Sequence, residues 1–554
     1  MLDAKMNKAD LVLFSDAIFD SICDVPFPGA VAISGEKIEF VGSKEAAGNY
    51  IGPFTEVKDF GDKLIMPGIC DNHVHLDGSV KKDCALVAKD LGDCKSEEEC
   101  AQAVKRFADQ HPGLERINGT GWVLTNFGPT PAPPTKKSLD KYFPDTPVYL
   151  FGADGHTNWI NSKAIEECNL ERIMAENPQF SDDFAPKDEN GKFTGFLKEA
   201  PGFIVHLFAL NVPADVRAEY HSKYIKLLNS MGITALAEVS MPTPDDIFDQ
   251  YWTLKAMENR SELTVRCYLS VSPRGAAPYP VERIKELDLL KVFFNSDKLR
   301  IAGIKTMLDG IPFAYTATLL EPYSDNPSTK GEQMFPPDVP FAWYKEANRL
   351  GYAVRVHCCG DAAVRRALDC FEESNRVNDN SCIRNAIEHM DCVSDSDIPR
   401  FAELGVVASM QPAHLIMSKG ILAERYGERA KNEWCFRKLK NAGATIAIGT
   451  DSPVVDINPY HTMYKAVTRK DLDGTQYGMM TEGQELTLSE VIKGYTSVAA
   501  YLNGMEHKVG TLEAGKYADV VVVNRDLFSI APDEIKDCSA VFTVFSGKIV
   551  YEAQ

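Results

Sequence analysis

Residues 66–79, MPGICDNHVHLDGS, set His73 and His75 one residue apart behind the apolar run Leu64-Ile65-Met66. On a strand, residues i and i+2 point to the same side, so both imidazoles can face one site. Further along, Lys305 sits in IAGIKTML, His357 in VRVHCCGD, His389 in NAIEHMD and Asp451 in IAIGTDSP, each on or just after an apolar run. Imidazole and carboxylate are donors that suit Zn²⁺ and similar divalent ions. Such an ion lowers the pKa of bound water to about 7. A carboxylate beside it can take the proton and later pass it to a leaving group. Asp451 is the candidate for that catalytic role.

Taken alone, each residue has a plainer reading. A histidine at a strand end is usually a hydrogen-bonded polar residue, and an aspartate after Gly-Thr is often a turn or a helix cap. A lysine inside an apolar strand is harder to dismiss, because burying an unpaired ammonium is costly. What outweighs the plainer readings is their coincidence. Four of the chain's 11 histidines, one lysine and one aspartate fall at the same end of successive strands.

The elements that must position them alternate strand and helix. After the run before His73 come ITALAEV, LTVRCYLSV, LRIAGIKTML, GYAVRVH, IRNAIEH, GVVASM and ATIAIGT. Between them lie helix-like stretches such as DAAVRRALDCFEES, where Ala363, Val364, Ala367, Leu368 and Phe371 share one face. Eight such strands predict an α/β fold, a (β/α)₈ barrel with its chemistry at the C-terminal mouth. The barrel is assigned residues 64–505, with an excursion over 77–212 expected to cover the active-site face. That excursion includes the extra strand candidate PVYLFGADGH and a proline-rich stretch at 128–137, read as a stiff surface loop. Both chain ends are β-rich, and neither is apolar enough for a core alone. Residues 1–63 and 506–554 are therefore predicted to form one small composite β-domain, a sandwich built from both ends.

Softer site candidates follow from position. Asp154 and His156 lie in the excursion as candidate substrate contacts, and so does Trp122, with a core role as its alternative. Asp309 follows Lys305 and either binds a polar substrate group or makes a turn. His414, in MQPAH after the seventh strand, points towards the mouth.

Composition narrows the partners. The chain has 554 residues, 44% hydrophobic and 25% charged, with a formal net charge of −20. Such a surface repels phosphate backbones and anionic membranes, so a small-molecule substrate is expected rather than nucleic acid or lipid. There are 14 cysteines without a C-x-x-C pair, which reads as reduced thiols rather than a disulfide framework. With neither a secretion-signal pattern at the start nor a spanning apolar run, a cytoplasmic location is expected. A homodimer is the base-rate expectation for assembly.

The sequence resembles the amidohydrolase superfamily, in particular its YtcJ-like branch, amidohydrolase family 3, which includes N-substituted formamide deformylases. The resemblance runs through MPGICDNHVHL, GIKTMLDG, AVRVHCCGDAAV, NAIEHMD, IAIGTDSPV and the closing VGTLEAGKYADVVVVN. It implies that His73 and His75 bind the more buried of two metals with Asp451. It implies a carboxylated Lys305 bridging to a second metal held by His357 and His389. In single-metal relatives the strand-six histidine instead orients the water. The implied chemistry is attack of hydroxide on a carbonyl carbon with Asp451 as general base, and Zn²⁺ as the ion, with Mn²⁺ or Fe²⁺ as alternatives. The expected function is hydrolysis of a non-peptide carbon–nitrogen bond: an amide, an N-formyl group or a cyclic amide. Hydrolytic deamination and ester or lactone hydrolysis are variants on the same site. A non-catalytic binding protein of this fold is the rival of another class; such a protein is expected to have lost ligands, and here all six positions are filled.

Overall fold

The computed structural model describes residues 8–554 apart from 85–86, 90, 129–131, 154–156, 179, 181, 210–213, 241–247, 274–280, 416–420 and 477–481. The chain divides into two units, Met1–Val80 with His221–Gln554, and Lys81–Tyr220.

The first unit contains the barrel. Its strands are β1 (Ile69–Val74), β2 (Ile233–Glu238), β3 (Arg266–Val271), β4 (Leu299–Met307), β5 (Ala353–Cys358), β6 (Ala386–His389), β7 (Val407–Met410) and β8 (Ile446–Ile448). Each pairs in parallel with the next, in sequence order. The ring closes just past β8: Val74 bridges Ser452 in parallel, and the Asp451 N–H donates to the His73 carbonyl at 2.7 Å. Parallel strands covered on both faces are buried throughout, and β1, β2 and β3 are buried at every position. The helix Asp361–Val377 after β5 buries Ala363, Val364, Ala367, Leu368 and Phe371 on one face, at the predicted spacing.

The same unit holds a sheet drawn from both chain ends. Its order is Lys548–Glu552, Ala540–Phe545, Val520–Val523, Leu64–Pro67, Leu11–Ile18, Phe27–Ser34 and Lys37–Gly42, with Glu56–Asp59 also on Leu11–Ile18. Leu64–Pro67 belongs to this sheet, where Met66 pairs Val521, and the barrel starts at Ile69 rather than at residue 64. The crossing falls at Gly68, where a Cβ would lie 2.1 Å from Thr234 Oγ1, so no larger residue fits between the two sheets.

The second unit has a sheet of its own, ordered Phe196–Lys198, Thr157–Ile160, Val148–Gly152 and Ile117–Trp122. The extra strand candidate is thus Val148–Gly152, parallel to Ile117–Trp122 and antiparallel to Thr157–Ile160. Two apolar clusters back this sheet, one around Trp122, Leu150 and Trp159, the other around Tyr149, Ile160 and Leu197. The segment expected as an excursion is therefore a folded unit with its own core. Part of the proline-rich stretch lies outside the described residues; the helix Lys136–Asp140 begins near its end.

Candidate active site

The strand ends place all six leading candidates at the barrel mouth, lining one cavity of about 300 Å³. Asp451 stands at the centre. His75 Nε2 is 2.9 Å and His73 Nε2 3.4 Å from its Oδ1. Its Oδ2 lies 3.9 Å from His389 Nδ1 and 3.3 Å from His414 Nε2. Lys305 Nζ sits 3.4 Å from His73 Nε2, and the His357 and His389 rings are 4.5 Å apart between centroids.

Local chain geometry sets these positions. Asp451 and His389 both hold positive φ, 70° and 72°, in the left-handed region that non-glycine residues avoid. Each such residue costs about 1–3 kcal/mol, so two of them at one centre mark a conformation kept for the site. Gly449 lets β8 reach β1, since a Cβ there would fall 2.6 Å from the His73 nitrogen. Asp71 then ties the strands together: its carboxylate accepts from His73 N at 3.1 Å, Thr450 N at 2.9 Å and Thr450 Oγ1 at 2.6 Å.

Burial governs the charges. Burial and the Lys305 ammonium push the His73 imidazole down to about 4 and that of His357 down to about 3. Burial also holds His389 well below the usual histidine value. The three rings are therefore neutral at neutral pH. The Lys305 ammonium is itself pushed down by burial, against the pull of Glu388 and Asp451. Burial works against the Asp451 carboxylate too, but His73, His414 and His75 outweigh it and keep the group well below its ordinary range.

These donors fit a cation better than they fit each other. Ligand atoms of His73, His389 and Asp451 all lie within 4.8 Å of one another. Asp451 Oδ1 has no well-aligned hydrogen-bond donor among the described residues although His75 Nε2 stands 2.9 Å away, and His414 Nε2 approaches Asp451 Oδ2 at 3.3 Å, also without good alignment. Close approach without hydrogen-bond alignment is the arrangement of lone pairs that converge on a point. His357 stands apart from that trio: its Nε2 lies 3.1 Å from the Gly310 carbonyl and 3.4 Å from Cys359 Sγ.

Three residues that sequence reading passed over complete the centre. Glu388 Oε2 lies 2.8 Å from His73 Nδ1 and accepts its proton, which fixes the tautomer and turns Nε2 towards Asp451. Burial opposes the charge on Glu388, yet His73 and Arg355 hold it down to about 2. Gln411 accepts from His389 N at 3.1 Å and reaches Glu388 Oε2 at 3.4 Å. Asp391 lines the cavity with Met307, Phe313, Leu422 and Trp434. The signals were present: Glu388 precedes His389, Asp391 closes the same EHMD run, and Gln411 opens QPAH.

The softer candidates divide. His414 lines the cavity and stacks on His389 with centroids 5.6 Å apart. Asp309 does not line the cavity. It is fully buried, and its oxygens accept from Cys359 N, Gly360 N and Thr318 N at 3.0, 2.8 and 2.9 Å. It holds the turn after β5. Trp122 is a core residue of the second unit, 1% exposed, its Nε1–H donating to the Leu150 carbonyl. Asp154 and His156 lie outside the described residues.

A closed parallel barrel with neutral imidazoles and one carboxylate converging at its mouth defines a barrel hydrolase centre. The chain belongs to the amidohydrolase family, whose sequence pattern matches residues 56–551. It is 28% identical to the putative amidohydrolase YtcJ of Bacillus subtilis, over 94% of this chain and 96% of that one. It is 27% identical to the protein LONG AFTER FAR-RED 3 of Arabidopsis thaliana, over 98% and 92%. It is 24% identical to an N-substituted formamide deformylase of Arthrobacter pascens, over 94% and 95%. Among solved structures it is similar to an uncharacterized metal-dependent hydrolase from Pyrococcus furiosus, with TM-score 0.76 and 28% identity over 93% of this chain and 99% of that one. No helix among the described residues is long and apolar enough to cross a membrane.

Proposed function

We propose that the chain is a metal-dependent hydrolase that cleaves a non-peptide carbon–nitrogen bond in a small molecule, an amide, N-formyl group or cyclic amide. The observation that carries this reading is the convergence of the His73, His75 and His389 imidazoles on the Asp451 carboxylate, beside a cavity of about 300 Å³. The deformylase among the relatives supports carbon–nitrogen chemistry, and the metal-dependent structural neighbour supports the ion.

His73, His75, His389 and Asp451 would hold Zn²⁺, with Lys305 and His357 as donors for a second ion. Bound there, zinc supplies Lewis acidity and lowers the pKa of water to about 7. The rest is done by the chain. Asp451, kept ionised by its histidine neighbours, takes the proton of the attacking water and returns it to the leaving nitrogen. Glu388 keeps His73 in the tautomer that leaves Nε2 free. Met307, Phe313, Leu422 and Trp434 form an apolar wall that takes the non-reacting part of the substrate. Carboxylation of Lys305 would turn a buried ammonium into an anionic oxygen donor and remove the cost of its burial.

The test is metal analysis of purified protein, followed by product analysis on a library of N-acyl and N-formyl amines and cyclic amides. Stoichiometric zinc and release of an amine with its acid are expected. Ammonia released without cleavage into two organic products would replace this reading with deamination. Lys305→Gln is expected to lower both metal content and turnover; full metal loading and turnover in that variant would sink its ligand role.

A further inference from the structure

Away from the mouth, at the start of strands β4, β5 and β6, a second pocket opens with a volume of about 70 Å³. Three arginines line it: Arg300 on β4, Arg355 on β5 and Arg384 just before β6. No carboxylate lines it among the described residues, in a chain whose net charge is −20.

The three guanidiniums are poorly matched by the protein. Arg355 is 5% exposed, and its Nη2 has no hydrogen-bond partner among the described residues. Its Nη1 donates to the Asn72 carbonyl at 2.6 Å, and its Nε stands 3.6 Å from Glu388 Oε1, beyond hydrogen-bond length. Arg384 donates from Nη1 to the Ser381 carbonyl at 2.7 Å, lies over the Tyr501 ring at 4.3 Å and stays 4.0 Å from Glu506. Its buried Nε is without a partner among the described residues. Arg300 donates from Nη1 to the sulfur of Met505 at 3.3 Å, a weak acceptor. A planar guanidinium is built to meet an oxyanion through paired N–H donors, and three of them around one small pocket repel each other until an anion is present.

We propose that this pocket binds a small oxyanion, inorganic phosphate or sulfate or the carboxylate of a small acid, between Arg300, Arg355 and Arg384. The occupant supplies acceptors for the unmatched N–H groups and holds Arg355 in place. Arg355 also faces Glu388, the carboxylate that grips His73, so the pocket adjoins the mouth centre through one ion pair.

The test uses the full chain in a zwitterionic sulfonate buffer whose anion is too large for the pocket. Phosphate, sulfate, acetate and chloride are titrated at constant ionic strength while thermal unfolding is followed. A saturable rise in Tm of about 2 °C or more is expected with at least one oxyanion. A larger rise with phosphate or sulfate than with acetate identifies an inorganic occupant, and the reverse identifies a carboxylate. The rise is expected to vanish in the Arg300→Met/Arg384→Gln double variant. Ala302→Asp, which adds a carboxylate to the pocket wall, is expected to raise Tm without added anion and to abolish the response. No saturable response to any oxyanion, a response to chloride alone, or an equal oxyanion response in both variants would overturn the proposal.

Discussion

Arg266, at the start of β3, is buried against the sheet made from the chain ends. Its Nε and Nη2 donate to the two oxygens of Asp519 at 2.7 and 3.1 Å. Nη2 also donates to Ser546 Oγ at 2.9 Å, Nη1 to the Asp297 carbonyl at 3.1 Å, and the Tyr517 and Phe545 rings flank the guanidinium. At the mouth of the same barrel, Glu388 Oε1 is buried with no hydrogen-bond partner among the described residues, and Asp451 Oδ1 meets His75 without a well-aligned hydrogen bond. A buried polar atom left unmatched costs about 1–3 kcal/mol. The chain removes that cost at the sheet junction and carries it at the mouth. At these two places, matched polar groups hold the fold and poorly matched ones stand where a ligand would complete them.

The sharpest way to break the contrast is at Asp451. Asp451→Asn removes both the proton acceptor and an anionic donor, so kcat/KM is expected to fall by about 10⁴-fold. Thermal unfolding of the metal-free protein is expected to move to lower temperature, because the folded state favours the ionised Asp451 carboxylate. Steady-state kinetics beside calorimetry decides the matter: activity within tenfold of the parent would remove Asp451 from the chemistry.

The mirror-image change is Asp519→Asn. It leaves the Arg266 guanidinium buried without its counter-ion, and breaking such a pair costs about 3–5 kcal/mol. Denaturant unfolding is expected to show that loss, while kcat per folded molecule and metal content stay at parental levels. A fall in kcat without a fall in stability would mean that the junction is wired to the site rather than only to the fold.

The same contrast explains what could be read before the fold was known. His73, His75, Lys305, His357, His389 and Asp451 were legible because strand ends announce themselves through apolar runs, and a parallel barrel gathers those ends at one mouth. The barrel followed from the same runs. Asp309 stayed open between a substrate contact and a turn because its position in sequence resembles that of a mouth residue. Only the fold shows that the backbone N–H groups of Thr318 and of the Cys359-Gly360 turn consume its carboxylate. Glu388 and Gln411 went unseen for the opposite reason. Strand alternation would turn Glu388 away from the side His389 faces, but His389 adopts a positive φ that breaks the alternation and lets both serve one centre. Trp122 illustrates a further limit, since a large aromatic residue looks alike in a core and in a pocket until its neighbours are known.

The finest test of the contrast lies at Glu388, which is half matched: Oε2 grips His73 while Oε1 has only Arg355 at 3.6 Å. Glu388→Gln keeps the shape and can still accept the His73 Nδ1 proton, but it removes the charge that makes the ring a stronger donor. Loss of such a supporting carboxylate typically weakens metal affinity by about 10–100-fold. Competition with a chelator is expected to show that loss, with kcat at saturating zinc within tenfold of the parent. The sign of the pH effect separates this from simple misfolding. Glu388 raises the His73 pKa against burial and Lys305, so its neutralisation lowers that value further. Protons then compete less for His73, and the acid limb of zinc binding is expected to stay in place or move to lower pH. An acid limb displaced upward, or a lowered Tm with unchanged zinc affinity, would make Glu388 a residue of the fold like Asp519 rather than a support for the centre.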